Sequence, residues 1–261
     1  MKAMLYFPRD IYMSIIDDDW TSPNLLFQIR NTKWKLRLNG SMISMSIIQL
    51  IKCVKNLKSA SEEFLNLFPE DLQNKLKDNF YLAGGCVYSL YNDKTPNDYD
   101  IFVYTHELKN DLISFFTKYI TTQKHDGISF GEYNGIPIIK TKYAISIGDK
   151  FQIITKYVGL PQSVTGEFDF KHNMFYYEPC VNAVDCHKSI NFIYLNTKEM
   201  HFNTLRARDL CGVILRLPKF ISRGMTIQKK EIAKILTKLQ PCINDENEKE
   251  ILLDYMTTQG Y

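Results

Sequence analysis

Residues 81–104, YLAGGCVYSLYNDKTPNDYDIFVY, place a double glycine and two aspartates in a pattern that limits the possible folds. Gly84 and Gly85 follow a short apolar run, and Asp98 and Asp100 belong to a second apolar run. Since side chains alternate along a strand, the two carboxylates should share one face. Glycines at a strand-to-helix turn let backbone N–H groups approach an anion, beside the partly positive start of a helix. The segment therefore predicts an anion pocket next to paired carboxylates.

Two like charges on one strand face repel each other unless a cation neutralises them. Oxygen ligands of this type suit Mg²⁺, so the pair Asp98 and Asp100 predicts a divalent metal site. Taken alone, each feature is most simply structural, because Asp-x-Asp is common in loops and Gly-Gly marks a turn. The order of strand, glycines, helix, loop and acidic strand is what favours a functional site.

In this order, LAGGCVYSLYNDKTPNDYDIF resembles the signature of the DNA polymerase β-like nucleotidyltransferase superfamily. The version it is most similar to occurs in CCA-adding enzymes and bacterial poly(A) polymerases. Those proteins carry an Arg-Asp pair where this chain has Tyr88 and Ser89. The resemblance extends over residues 80–178. The abundance of Lys, Asn and Ile suggests an AT-rich genome, which is typical of a phage, a virus or an AT-rich bacterium, and we expect a phage-type or viral-type member.

The superfamily implies a third acidic residue on a later strand. In GEFDFKHNMFYY, Asp169 lies between two phenylalanines in a predicted strand at 168–177, where an unpartnered acid would be costly to bury. A structural aspartate in a satisfied network is the alternative for this residue. The competing acids are Asp149, in a predicted hairpin turn, Glu132, and Glu167, which should face away from Phe168.

The resemblance implies transfer of a nucleoside monophosphate from an NTP to a hydroxyl group by two-metal catalysis. Asp98 and Asp100 would hold both Mg²⁺ ions, or Mn²⁺, and Asp169 would complete the hydroxyl-side site. Gly84, Gly85 and Ser89 are the candidate nucleotide-binding residues of the motif.

The acceptor stays open at this stage. The 3′ end of RNA, possibly tRNA, is the leading expectation, and a protein or small molecule modified by a toxin-like or host-modifying enzyme is the rival. A catalytically silent nucleotide-binding module that regulates a partner is a third possibility.

A later helical segment, LRARDLCGVILRLPKFISRG, supplies candidate phosphate-binding cations. Arg216 and Lys219 would lie on one basic edge that could grip a triphosphate or nucleic acid. The alternative is a solvated helix face with its cations in water.

The periodicity predicts an α+β fold with a mixed sheet flanked by helices. Residues 1–79 should form a strand at 33–38 and helices packed on the core, 80–200 the catalytic core, and 201–261 a helical region. The predicted N-terminal helices run over 41–57, from a capping box at Ser59 and Glu62, and from Pro69. The core elements are helices at 86–91 and 107–120 and strands at 97–104, 143–147, 151–157 and 168–177.

Charge and cysteine content limit the partners and the compartment. A net charge of +3 means that any affinity for nucleic acid must come from local clusters of Lys and Arg. Six scattered cysteines favour reduced thiols in the cytoplasm, and Cys180, Cys186 and His187 lack the further ligands of a zinc site. No apolar run reaches the length of a membrane span, so we expect a soluble cytoplasmic protein, in a host cell if it is viral.

Overall fold

The computed structural model describes residues 40–123, 127–242, 244–250 and 253, with side chains from residue 48 onward. The chain divides into two units, one ending at Lys52 and the other beginning at Cys53. The fold described below is that of the second unit, apart from the first turns of α1. The strand predicted at 33–38 lies outside the described residues.

The helices are α1 (Gly40–Leu65), α2 (Glu70–Leu76), α3 (Gly85–Tyr91), α4 (His106–Thr117), α5 (Pro161–Thr165), α6 (Leu210–Ser222) and α7 (Lys229–Leu239). Short 3₁₀ helices are at Lys171–Asn173, Phe192–Leu195 and Gln240–Cys242. The strands are β1 (Phe80–Ala83), β2 (Tyr99–Val103), β3 (Ile120–Gln123), β4 (Ser129–Tyr133), β5 (Ile136–Lys140), β6 (Ala144–Ile147), β7 (Phe151–Ile154), β8 (Phe175–Glu178), β9 (Ala183–Cys186), β10 (Glu199–Met200) and β11 (Thr226–Ile227).

Nine of these strands form one sheet in the order β3-β4-β5-β6-β7-β2-β1-β8-β9. The central pair β2 and β7 is parallel, and the other neighbours are antiparallel. The described fold is thus a mixed sheet flanked by helices, which confirms the predicted α+β class.

The core lies on both faces of β1, whose four residues are all buried. On one face Phe80 packs against Phe64 of α1, with ring centroids 5.3 Å apart. On the other face Tyr81 stacks on Phe102 at 5.4 Å, and Val164 of α5 belongs to the same cluster. Full burial of each such side chain contributes about 1.5–3 kcal/mol, so the centre of the sheet fixes β1 and β2 firmly.

Two predictions about helices need correction. The capping box at Ser59 and Glu62 is wrong, because α1 runs without a break through Leu65 and buries Leu57 and Phe64 on one side. The C-terminal region is not entirely helical, because β11 pairs in parallel with β10. The helix begun by Pro69 is confirmed, since this residue is the N-cap of α2.

The predicted strand at 168–177 is also wrong over most of its length. Asp169 lies in a loop, Phe170 forms an isolated bridge with Phe202, and a 3₁₀ helix follows before β8 begins at Phe175. The predicted strand at 97–104 is shorter, so that Asp98 precedes β2 as an exposed residue.

Among the described residues, no helix is both long enough and apolar enough to cross a membrane. All six cysteines are free thiols.

Candidate active site

The double glycine forms the turn from β1 into α3, directly beside the second aspartate. Ala83 pairs with Asp100 on the neighbouring antiparallel strand, and Gly84 follows with φ +86° and ψ −135°. A Cβ atom at Gly84 would lie 3.6 Å from Asp100 Oδ2. The N–H of Gly84 donates to the carbonyl of Phe175 at 3.1 Å, so this glycine gives the site its backbone shape and open space.

Replacing Gly84 by alanine should lower the free energy of unfolding by about 1–3 kcal/mol, because its φ of +86° is strained for any residue with a Cβ. The added methyl group would also narrow the space beside Asp100, so nucleotide affinity should fall. Thermal melts and nucleotide titrations measure the two effects. Gly85→Ala is the matched control, since nothing lies within 4 Å of a Cβ there and stability should be unchanged or slightly higher. Equal melting temperatures for the two variants would contradict this account of the turn.

The carboxyl group of Asp100 lies in an environment that disfavours its charge. Burial and the nearby carboxylate of Asp98 raise the pKa of Asp100 from 3.8 to about 7, against the opposing effect of Lys219 and Arg223. At neutral pH a cation beside Asp100 would therefore stabilise the charged carboxylate in place of the proton.

Asp169 is held by two arginine side chains. Arg216 donates from Nε to Asp169 Oδ2 at 2.6 Å and from Nη2 to Oδ1 at 2.9 Å, which is a bidentate pair. Arg206 Nε lies 3.2 Å from the same Oδ1. The side chain of Asp169 is only 10% exposed, so this carboxylate already has its countercharge within the protein.

A second aspartate closes the network. Asp209 Oδ2 accepts from Arg206 Nη2 at 2.9 Å and from Arg216 Nη1 at 3.0 Å. Asp209 has a left-handed conformation, with φ +55°, at the start of α6. Gly212 leaves the necessary room, because a Cβ there would lie 1.9 Å from Asp209 Oδ1. We call these two aspartates and two arginines the four-charge network: Asp169, Arg206, Asp209 and Arg216.

An open cleft joins the glycine turn, Asp100 and the four-charge network. Its cavity volume is about 260 Å³, and the cleft opens widely to solvent. Its lining residues are Gly84, Gly85, Asp100, Phe102, Ile154, Lys156, Tyr157, Glu167, Phe168, Asp169, Asn173, Arg206, Asp209 and Arg216.

The cleft brings together five of the eight residues selected from the sequence, namely Gly84, Gly85, Asp100, Asp169 and Arg216. Asp98 and Lys219 do not line it but act electrostatically on Asp100. Ser89 is half-buried in α3 and does not line the cleft.

Several residues that line the cleft are not among those predicted from the sequence. Arg206 and Asp209 belong to LRARDL, where a basic and an acidic residue three apart could have indicated a pair. Lys156 and Tyr157 follow β7 and carried no motif. Glu167, expected to face away from Phe168, lines the same cleft as that residue.

Within the described part of the chain, no group of three or more His, Cys, Asp or Glu side chains is arranged to hold a metal ion. The Asp98 and Asp100 pair suits a cation because burial and mutual repulsion oppose its second negative charge. Asp169 does not suit the role of a further ligand in this arrangement, because both of its oxygens are bound by arginine.

The model of the Gabija anti-defense 2 (Gad2) family matches residues 55–200, which is more than half of the chain. The protein belongs to this family. No curated protein matches the sequence.

The solved structures that resemble the chain include CCA-adding enzymes. One is the Thermotoga maritima CCA-adding enzyme complexed with tRNA, with a TM-score of 0.45, 14% identity and coverage of 75% of this chain and 49% of the enzyme. Another is the Bacillus stearothermophilus enzyme in complex with CTP, with a TM-score of 0.48, 14% identity and coverage of 75% and 47%. A CCA-adding enzyme complexed with ATP has a TM-score of 0.46, 14% identity and coverage of 76% and 48%. The chain spans about half the length of these enzymes.

Proposed function

We propose that this protein is a metal-dependent nucleotidyltransferase that moves a nucleoside monophosphate from an NTP to a hydroxyl group and releases pyrophosphate. The observation that carries the proposal is the approach of the Gly84 turn to the Asp100 carboxylate, within an open cleft that arginine and lysine side chains also line. Residues 80–200 would be the catalytic core, and 201–261 would supply the cationic side of the cleft. We place the protein in the cytoplasm, that of a host cell if it is viral.

Asp98 and Asp100 would hold Mg²⁺, or Mn²⁺, because the pair has two carboxylates in one another's field and one of them is raised in pKa. A bound Mg²⁺ would neutralise the triphosphate and favour deprotonation of the attacking hydroxyl. Asp169 is engaged by arginine, so the proposal assigns it no metal and no proton transfer.

The triphosphate would meet cations from α6 and its end. Lys219 and Arg223 act on Asp100 electrostatically, which supports a position near a metal-bound phosphate. Arg216 is 25% exposed in its side chain and lines the cleft, so its positive charge borders the space for a bound anion while its nitrogens hold Asp169 and Asp209. Ser89 lies outside the cleft lining and receives no direct role in the proposal.

The acceptor that we propose first is the 3′ end of an RNA, possibly a tRNA. Membership of the Gabija anti-defense 2 family supports a biological role against Gabija defense, and it favours a second acceptor, a protein component of that defense. A small-molecule acceptor is the remaining variant of the same chemistry.

Radiolabelled NTPs test the proposal and the acceptor together. The protein is incubated with Mg²⁺ and each of the four α-labelled NTPs, with total RNA, tRNA or the Gabija proteins as acceptors. RNase-sensitive label would identify RNA, and protease-sensitive label would identify protein. The same reactions with Asp100→Asn should transfer no label. An absence of label transfer with every NTP and every acceptor, together with an absence of pyrophosphate in a coupled colorimetric assay of the same reactions, would overturn the enzymatic proposal.

The engagement of Asp169 by two arginines favours one other candidate, a catalytically silent nucleotide-binding module that regulates a partner. Such a module would bind NTPs in a Mg²⁺-dependent way without releasing pyrophosphate. Isothermal titration beside the label-transfer assay separates the two candidates.

A further inference from the structure

Lysines and tyrosines alternate at the rim of the cleft, where β7 ends. Lys156 Nζ lies 5.0 Å from the centre of the Tyr143 ring and 5.4 Å from that of Tyr157. Lys142 Nζ lies 5.1 Å from the centre of the Tyr143 ring. We call these four residues the lysine–tyrosine strip.

The strip is tied to the sheet and open to solvent. The backbone N–H groups of Thr155 and Lys156 both donate to the carbonyl of Tyr143, at 2.8 and 3.2 Å, so the two segments are held side by side. Tyr143 is 39% exposed and both lysines are exposed, while Tyr157 is half-buried and packs against the core cluster that contains Tyr81 and Phe102. Lys156 and Tyr157 also line the cleft, which makes the strip continuous with the site that holds Asp100.

The charge of the strip is positive. Among the described residues, no acidic side chain forms an ion pair with Lys156. A lysine over an exposed aromatic ring is held weakly, and a charge-assisted contact with a phosphate group is stronger. The ammonium group of Lys156 can therefore leave the Tyr143 ring for a stronger anion, and the exposed face of that ring then becomes available.

We propose that the lysine–tyrosine strip binds the single-stranded nucleic acid whose end enters the cleft, with phosphates on the two lysines and a base on the exposed Tyr143 ring. Single-stranded chains are recognised by this combination of cations that follow the backbone and aromatic side chains on which bases stack. The inference rests on the proposed nucleotidyl transfer to RNA for its biological meaning, but binding itself requires no chemistry.

The test measures binding of a fluorescent 12-nucleotide RNA by anisotropy, without NTP or divalent metal. Lys142→Glu/Lys156→Glu should weaken binding at least tenfold, and its slope of log affinity against log salt should be smaller by about 1.4, since each lysine contributes about 0.7. Tyr143→Ala should weaken binding about tenfold, and Tyr143→Phe should retain it, because stacking needs the ring and not the hydroxyl. Lys77→Glu is the control for charge, as an exposed lysine at the end of α2, and should bind like the wild type.

Further arms separate the alternatives. Single-stranded DNA of the same length distinguishes RNA from a general single-strand site, and both results support the strip. Equal binding of a duplex would overturn the proposal, because base stacking on Tyr143 requires an unpaired strand. Equal competition by polyglutamate of matched charge would overturn it in favour of an acidic protein partner. Wild-type affinity in the double lysine variant would also overturn it.

The two proposals can fail independently. Asp100→Asn should bind the RNA like the wild type. If the wild-type protein binds the RNA at the strip but transfers no nucleotide, the enzymatic proposal fails and the binding proposal holds. If Lys142→Glu/Lys156→Glu transfers nucleotide to RNA with an unchanged acceptor KM, RNA binding at the strip is contradicted and the enzymatic proposal is supported.

Discussion

Asp100→Asn should abolish nucleotidyl transfer and, in the absence of divalent metal, make the protein more stable above pH 7. The rate should fall by about 10³ or more, because the carboxylate that would hold the metal is lost at the point where charge develops in the transition state. The free energy of unfolding at pH 8 should rise by about 1–2 kcal/mol. This is less than the free energy equivalent to the full pKa shift of Asp100, because the aspartate side chain keeps some contact with solvent.

The pH dependence gives the sign of the stability effect. The pKa of Asp100 is 3.8 in the unfolded chain and about 7 in the folded protein, so the folded state binds the proton more tightly. The stabilisation is fully present below pH 3.8 and is lost as the pH rises through 7. Asparagine carries no charge, so the advantage of the variant should be largest above pH 7 and should vanish below pH 4. Melting curves of both proteins in EDTA across this range measure the difference.

Asp149→Asn is the control for this prediction, because it removes an acid from the exposed turn between β6 and β7. Its melting temperature should follow that of the wild type at every pH. A lower stability of Asp100→Asn at pH 8 would mean that the carboxylate has a stabilising partner. Full transfer activity in that variant would remove Asp100 from the proposed chemistry.

The part of the site that depends on neighbours in sequence could be predicted. The short helix of the Gly84 turn and the strand that carries Asp100 are joined by a loop of a few residues, and β1 and β2 are adjacent in the sheet. Local alternation and glycine chemistry are enough to predict that the turn and the carboxylate lie together.

The hairpin of β4 and β5 was missed although its turn had a readable signal. Asn134 and Gly135 both have positive φ, 52° and 77°, as a two-residue hairpin turn requires. The first flanking strand, SFGEY, conceals the signal, because a glycine inside a strand pattern argues against a strand. Gly131 is required there because a Cβ would lie 2.0 Å from the carbonyl oxygen of Tyr119. The close approach of the Tyr119 backbone exists only in the folded sheet, so the sequence alone does not explain this glycine.

The position of Asp169 could not be derived from its neighbours in sequence. Two flanking phenylalanines suggest a strand, but the residue is fixed by Arg206 and Arg216, which follow it by 37 and 47 positions. Nothing within the segment reveals partners that far away. The sequence alternative of a structural aspartate in a satisfied network agrees with these contacts, while the role of the residue in catalysis stays a prediction.

Asp169→Asn should therefore lower the free energy of unfolding by about 3 kcal/mol, because it leaves two arginines with one aspartate in a mostly buried network. For a protein of this size the melting temperature should fall by about 6–12 °C. Mn²⁺ affinity at the Asp98 and Asp100 pair, measured by electron paramagnetic resonance, should be unchanged, since Asp169 is not assigned to the metal. Glu167→Gln removes another acid of the cleft outside the four-charge network, and it should melt like the wild type.

A double-mutant cycle distinguishes a network role from a general loss of stability. Asp169→Asn/Arg216→Gln leaves Arg206 and Asp209 as a neutral pair 2.9 Å apart, so it should recover part of the stability that Asp169→Asn loses. Additive losses would mean that Asp169 and Arg216 are not coupled. Weaker Mn²⁺ binding with an unchanged melting temperature in Asp169→Asn would instead support the third metal ligand implied by the nucleotidyltransferase resemblance. The arginines would then have to release Asp169 when metal and nucleotide enter the cleft.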